Sequence, residues 1–434
     1  MPNKKRGKEA LLFLLIFLLA TVGAILVDFP NVAGVPIGAL LIAGILFLLL
    51  LAAYLSYRFF LPEADYFLLP CVFFLVSLGT IMIYRLKPGL VWLQLLWIGI
   101  GILALTFTLI LFGKKNYRFL ENYKYICALI GIILLLSPVF FGKEIGGARL
   151  WLRIGPLSFQ PAEIAKLLII IFLAAYLKDK SELLSTTTRK LRGIDIPDPK
   201  HFGPLLVMWG ISLAILVLEK DLGTSLLFFG VFLAMLYVAT GRGAYVFAGT
   251  TLFIAGATAC YKVFPHVQTR INIWLNPWSD IAGKGYQIVQ SLFAIASGGL
   301  SGSGLSLGYP FHIPAVHTDF IFSAICEELG FLGGVAIILT YLLIVYRGLK
   351  IGIETDDKFG KLLAVGLTSI FAIQSWVIMA GVTKLIPLTG ITLPFMSYGG
   401  SSILSNFILL GFLLSISGNI SSSRNKPGGA ISNE

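Results

Sequence analysis

Apolar runs about twenty residues long follow one another from residue 10 to residue 417, separated by short polar breaks. A run of that length matches the hydrocarbon core of a bilayer, and inside a bilayer only a helix or a closed barrel satisfies its own backbone. Twelve windows qualify, near 10–27, 34–57, 67–84, 90–112, 123–141, 161–177, 204–218, 221–240, 244–262, 320–346, 362–383 and 394–417. The narrowest break is Glu219-Lys220-Asp221, between the seventh and eighth. Only 12% of the 434 residues are charged, about half the share of a soluble domain. The expected fold is therefore an all-α polytopic membrane protein with about twelve transmembrane helices and no soluble domain. The run after the basic start Met1–Glu9 is too long for a cleaved leader and lacks a small-residue cleavage site, so it reads as a retained span.

Lys and Arg set the orientation. With the N-terminus inside, the inner segments hold them more than twice as often as the outer ones. Both termini are then cytoplasmic, and the net charge of +12 is explained by topology. No basic patch interleaved with aromatics lies outside the spans, which leaves nucleic-acid binding unsupported. Cys71, Cys127, Cys260 and Cys326 fall in or beside apolar runs at no metal-site spacing and read as packing residues. Two outer loops are rich in functional residue types, 142–160 and the long one at about 264–318. The inner loop 178–202 reads as a solvated connector, and 418–434 reads as a disordered cytoplasmic tail.

Five constellations could carry chemistry. Arg149 and Arg153 precede Gln160-Pro161-Ala162-Glu163-Ile164-Ala165-Lys166. Glu163 and Lys166 are i and i+3 helix neighbours, so they either satisfy each other at a helix end or form one charged wall of an outward cavity. The two arginines suit interfacial anchoring or a clamp on phosphate oxygens. Glu219-Lys220-Asp221 forms either a tight outer turn or a charged cluster. The long loop carries Arg270, then Gln287 and Gln290 spaced along an apolar stretch expected as an amphipathic surface helix. A glycine-rich run from Ser297 to Gly308, including Gly299, follows, and is either flexible or able to offer N–H groups to an anion.

The fourth constellation is His317-Thr318-Asp319-Phe320-Ile321-Phe322, leading to Glu327-Glu328-Leu329-Gly330. A helix starting near Thr318 would place Asp319 in its first turn, capped by Thr318 or His317. The two glutamates would lie about 12–14 Å deeper, too far to share a proton with Asp319. Acids at such positions usually mark a site. The fifth is Leu385 to Ser402, where two prolines and three glycines interrupt an apolar segment, which is tolerated where backbone lines an enclosed cavity.

Taken together, these motifs resemble the SEDS family of bacterial cell-wall polymerases, the FtsW/RodA/SpoVE group. The matching pieces occur in family order: Phe159 to Lys166, Asp221-Leu222-Gly223-Thr224, Ser297-Gly298-Gly299-Leu300, His317 to Phe322, Glu327 to Gly330, and Pro394 to Ser402. The resemblance covers about residues 66–417. It implies a multi-pass glycosyltransferase of the bacterial cytoplasmic membrane that polymerises lipid II into glycan strands on the outer face, in elongation, division or sporulation. It also implies a class B penicillin-binding protein as partner transpeptidase. Asp319 matches the family's essential aspartate, and Glu163 with Lys166 matches its cavity ion pair. Arg149, Arg153, Asp221, Arg270, Gln290, Gly299, His317, Ser397, Gly399, Gly400 and Ser401 are carried as substrate-binding candidates. The residues name no cofactor; a divalent cation is one way, beside the Arg and Lys residues, to neutralise a departing pyrophosphate.

The chain departs from the family pattern in three places. Two extra spans occupy residues 1–60, before the family domain at 61–417. Glu219-Lys220 stands where the family has Gln-Pro, and Ile378 stands where an Asn is usual. The rival readings are a lipid II flippase, which would need polar residues on both sides of the bilayer, and a non-catalytic scaffold, which would tolerate loss of Asp319.

Overall fold

A computed structural model describes residues 2–29, 36–113, 116–145, 148–155, 157–185, 189–191, 194–196 and 199–424. Helices dominate: α1 (Pro2–Asp28), α2 (Ile37–Phe60), α3 (Leu68–Leu86), α4 (Pro88–Phe112), α5 (Lys124–Phe141), α6 (Ala162–Ser185), α7 (Pro199–Leu218), α8 (Leu222–Thr240), α9 (Gly243–Val263), α10 (Pro265–Leu275), α11 (Tyr286–Gly298), α12 (Ile321–Glu354), α13 (Lys358–Val382) and α14 (Gly400–Arg424). Among the described residues, ten helices are long and apolar enough to cross a membrane. The two remaining windows of the sequence are occupied by α6, which carries several charges, and by the shorter apolar stretch Leu206–Leu218 of α7. The protein is a multi-pass membrane protein.

The connectors are less uniformly helical than the hydropathy implies. Residues 143–159 form a small antiparallel sheet, β1 (Lys143–Ile145), β2 (Ala148–Ile154) and β3 (Leu157–Phe159), with Leu152 opposite Phe159 and Arg153 opposite Ser158. The inner connector holds a two-stranded ribbon, β4 (Arg189–Leu191) and β5 (Ile194–Ile196). At the C-terminal end, α14 runs to Arg424, seven residues into the segment expected as tail, and Asn419 Nδ2 donates to Ser415 O at 2.7 Å. The remainder of that tail, 425–434, lies outside the described residues.

The centre of the bundle is built from α3, α4, α6, α8, α12, α13 and α14, with α1 and α2 packed on α3 and α4. Small residues bring the central helices close, as expected where helices associate by packing alone. A Cβ on Gly101 of α4 would stand 2.4 Å from the Phe407 ring of α14. In contrast, α9 has no buried residue.

The largest departure from the sequence reading is α12. It begins at Ile321, so Asp319 lies in the turn before the helix rather than in its first turn, and no side chain caps it. Nine residues later it breaks at Gly330, whose φ of 69° and ψ of −168° only glycine adopts without strain. The glycine-rich loop replaces the helical hydrogen bonds lost there. Ser303 N donates to Glu327 O at 2.9 Å and Gly304 N to Glu328 O at 3.0 Å, while Phe331 N and Leu332 N donate to Gly299 O and Leu300 O at 2.9 and 3.2 Å. Glu328 meets Arg85 Nε at 3.2 Å, at the last turn of α3. Both glutamates therefore lie on the short half-helix before the break, with Glu328 beside the end of α3. The part of α12 after the break, 24 residues or about 36 Å, is long enough for the crossing.

Candidate functional site

Four segments converge around Asp319. Its own turn is held by the proline-interrupted segment before α14: Ser397 Oγ donates to Thr318 O, and Tyr398 N donates to His317 O at 2.9 Å. Ser397 Oγ also accepts from Leu393 N at 2.9 Å, so one hydroxyl joins the interrupted segment to the turn carrying the aspartate. The α10 helix brings Arg270, whose Nη1 donates to Leu388 O at 3.2 Å and to Thr389 O at 2.9 Å. From the same helix, Trp274 Nε1 donates to Lys384 O at 3.2 Å. The α11 helix closes the side, with Gln287 Nε2 donating to Pro314 O at 2.8 Å.

Between these segments lies an open cavity of about 210 Å³. Asp319, Arg270, Lys284, Lys384, Gln287 and Trp274 are among its lining residues. Gly390 separates the acid from the guanidinium. A Cβ there would stand 3.6 Å from Asp319 Oδ2 and 3.9 Å from Arg270 Nη2, so the two groups face each other across a space no wider than the sum of those distances. Its φ of +75° also favours glycine. Burial pushes the Asp319 carboxyl from the usual carboxylate range up to about 6, against the opposing pull of its Thr318 hydrogen bond and of Arg270. The lining is an acid poised near neutral pH among three cations. Among the described residues no group of three His, Cys, Asp or Glu side chains converges.

A second polar cluster lies behind the first. Lys166 Nζ pairs with Glu163 Oε2 at 2.5 Å and donates to Gln374 Oε1 at 3.1 Å. Ser405 Oγ donates to the same Glu163 oxygen at 2.6 Å. Gln374 Nε2 donates to Thr392 O at 2.9 Å, and Thr392 Oγ1 donates to Ser402 Oγ at 2.9 Å. The segment 388–392 thus touches Arg270 at one end and the Lys166–Gln374 network at the other. Asp221 adjoins both: it caps α8 by accepting from Thr224 N at 2.9 Å, and it accepts from Gln160 Nε2 at 3.4 Å. Burial raises its pKa, and Arg270 lowers it. Its neighbour Glu219 is pushed up to about 8 by burial and by Asp221.

The structure gathers some sequence candidates and disperses others. Asp319 and Arg270 line the cavity; Asp221, Glu163, Lys166 and Ser397 support it. His317 lies beside it, with its pKa lowered by burial and Lys87, and its ring centre 5.9 Å from that of Tyr398. Gly400 starts α14 tight against Trp97, and Gly399 lies against Thr392. Ser401 is buried, with no hydroxyl partner among the described residues. Arg149 and Arg153 are exposed on β2, outside the cavity. Gly299 belongs to the backbone exchange at Gly330. On α11 it is Gln287, rather than Gln290, that lines the cavity, and the helix buries Ile288, Val289, Ser291, Ala294 and Gly298 instead of lying wholly at the surface.

Several site residues escaped the sequence reading. Gln374 is the clearest: a lone amide in an apolar span is costly unless bonded, and that alone flags it. Gly390 and Lys384 carry a weaker signal, a glycine and a cation in the interrupted segment. Trp274 stands four residues after Arg270 in the long outer loop, in the stretch Trp274-Leu275-Asn276-Pro277-Trp278, but its residue type alone does not mark it as a lining group.

Residues 89–422 match the FtsW/RodA/SpoVE family of cell cycle proteins. The peptidoglycan glycosyltransferase RodA of Mycobacterium bovis is 44% identical over 431 residues, covering 96% of this chain and 91% of that protein. The stage V sporulation protein E of Bacillus subtilis is 35% identical over 81% of this chain and 96% of its own. A probable peptidoglycan glycosyltransferase FtsW of Geobacter metallireducens is 36% identical over 70% of this chain and 79% of its own. Among solved structures, a chain described under "Structural coordination of polymerization and crosslinking by a peptidoglycan synthase complex" superposes with a TM-score of 0.67 at 27% identity, covering 84% of this chain and 99% of that one. The rod shape determining protein RodA of Thermus thermophilus superposes with a TM-score of 0.57 at 25% identity, covering 84% and 98%. By matched length, identity and fold, this chain belongs to the FtsW/RodA/SpoVE family.

Proposed function

We propose that the protein is a peptidoglycan glycosyltransferase that polymerises lipid II into glycan strands, with Asp319 as general base and a class B penicillin-binding protein as its transpeptidase partner. The observation that carries the chemical reading is the cavity: one carboxyl with a pKa near 6 faces Arg270, with Lys284 and Lys384 in the same lining. In the transfer, an acceptor sugar hydroxyl attacks C1 of the donor sugar and the C1–oxygen bond to the lipid pyrophosphate breaks. The hydroxyl proton passes to an Asp319 oxygen, and the pyrophosphate leaves with its charge beside the cations. A base near neutral pKa is mostly ionised at pH 7 yet takes a proton more readily than an ordinary aspartate. Fixed cations favour charge that develops on the leaving group. The relatives named peptidoglycan glycosyltransferases support the reaction class, and the synthase complex among the structural neighbours supports the partner.

Glycan-strand formation from purified lipid II, with the chain co-purified with its transpeptidase, tests this reading. Asp319→Asn keeps the shape and removes the base, and should cost at least about a hundredfold in rate, the lower end of what a general base contributes. Polymer at the normal rate would remove Asp319 from the mechanism.

A further inference from the structure

The loop that carries Asp319 is anchored at a distance from the aspartate, on a contact that involves the N-terminal helix pair. Two successive residues in the last turn of α3 face different partners. Tyr84 donates its hydroxyl to Asp28 Oδ1 at 2.6 Å, at the end of α1, and Asp28 Oδ2 accepts from Ala39 N at 3.2 Å, in the first turn of α2. Asp28 therefore ties α1, α2 and α3 together at one point. Arg85 instead faces the glycine-rich loop. Its Nη2 donates to Ser306 O and to Gly308 O, both at 3.1 Å, and its Nε donates to Glu328 Oε1 at 3.2 Å. Its guanidinium also stacks 5.6 Å from the centre of the Phe311 ring.

Ser306 is where the two halves meet. Its N–H donates to Glu328 Oε2 at 3.2 Å, its carbonyl accepts from Arg85, and its hydroxyl donates to Val27 O of α1 at 3.3 Å. It holds a φ of +71°, a region costly for a serine, so the surrounding contacts impose this conformation. Glu328 is fully buried, and Arg85 is its ion-pair partner. Thirteen residues beyond Ser306 the same chain reaches Asp319.

We propose that the α1–α2 pair is a brace for the active-site loop, with Asp28, Tyr84, Arg85 and Ser306 as positioning residues for the transfer reaction. The brace acts by restricting the loop that ends at Asp319, so that the carboxylate stays aimed into its cavity. A placement error of about an ångström at a reacting group can cost on the order of a hundredfold in rate, which is why a remote clamp matters. The proposal rests on Asp319 being the base, and the test below separates the two ideas.

Tyr84→Phe and Asp28→Asn weaken the helix-pair side without leaving a charge buried. A combined Arg85→Gln, Glu328→Gln variant removes the loop-side ion pair as a unit, so that no uncompensated carboxylate is left inside. Each is measured in the full chain co-purified with its transpeptidase, by steady-state polymerisation of lipid II and by amide hydrogen exchange across residues 299–319. Losing one hydrogen bond is worth about a fivefold change in an equilibrium, so kcat should fall about three- to tenfold in each single variant, with KM within about twofold. Exchange in 299–319 should rise by a similar factor, while exchange in α13 and α14 stays as in the wild type. Unchanged loop exchange, a fall in kcat that tracks general loosening of the bundle, or faster loop exchange at unchanged kcat would each overturn the brace. Asp319→Asn, run alongside, should abolish turnover with loop exchange unaltered; normal turnover there would refute the assignment of the base, leaving the exchange data to judge the brace.

Discussion

If the Asp319 carboxyl titrates near pH 6, the acid limb of kcat/KM must fall there, because kcat/KM reports ionisations of the free enzyme. The ionised fraction is then about nine-tenths at pH 7 and about one-tenth at pH 5, a roughly tenfold loss, whereas an ordinary aspartate would lose less than about a tenth. Arg270 supplies a second lever. It lowers the Asp319 pKa, so Arg270→Gln must move the limb upward. Across the gap at Gly390, an effective dielectric of about 20 gives on the order of 2 kcal/mol, or about one to two pH units. The pKa change alone should lower the rate at pH 7 about two- to tenfold, a part of the loss that recovers as the pH is raised towards 9, on top of a pH-independent loss from the cation missing beside the leaving group. Arg270→Lys keeps the charge and should leave the limb near 6. The assay is the initial rate of lipid II polymerisation at limiting substrate, from pH 4.5 to 9. A limb below pH 5 in the wild type, or a limb in Arg270→Gln that stays at its wild-type position, would refute this account of the site.

Two further outcomes follow from the geometry. Glu163→Gln or Lys166→Met alone leaves a buried ion beside Ser405 or Gln374 and should destabilise the bundle by about 3–5 kcal/mol, whereas the double variant should cost clearly less; thermal melting in detergent, read as a double-mutant cycle, checks this. Gly390→Ala places a methyl group between Asp319 and Arg270 at a positive φ, so turnover should drop by more than tenfold while the melting temperature falls by only a few degrees; activity near the wild-type level would show that substrate does not pass through that gap.

The bundle was largely legible because bilayer-length apolar runs leave a chain few alternatives. Asp319, Arg270 and the Glu163–Lys166 pair stood out for the complementary reason, as charges in apolar surroundings. What hydropathy hides is backbone geometry. The run through α12 looks continuous, yet Gly330 interrupts it, and the partners that make the interruption affordable come from a loop thirty residues earlier. The two glutamines of α11 are equally polar in sequence; only the direction in which the helix docks selects Gln287 over Gln290. Gln374 was legible in principle, as a lone amide that a membrane interior would not tolerate unpaired.

The backbone exchange at Gly330 also makes chain length part of the site. Ser303 and Gly304 are registered one by one on Glu327 and Glu328, and Asp319 stands two residues before the half-helix that carries those glutamates. The sixteen residues from Gly304 to Asp319 form a closed circuit with both ends fixed to the same short helix. One residue inserted there would have to bulge outward or slip the register. The number of residues in this loop is therefore as much a determinant of where the carboxylate points as any side chain that touches it.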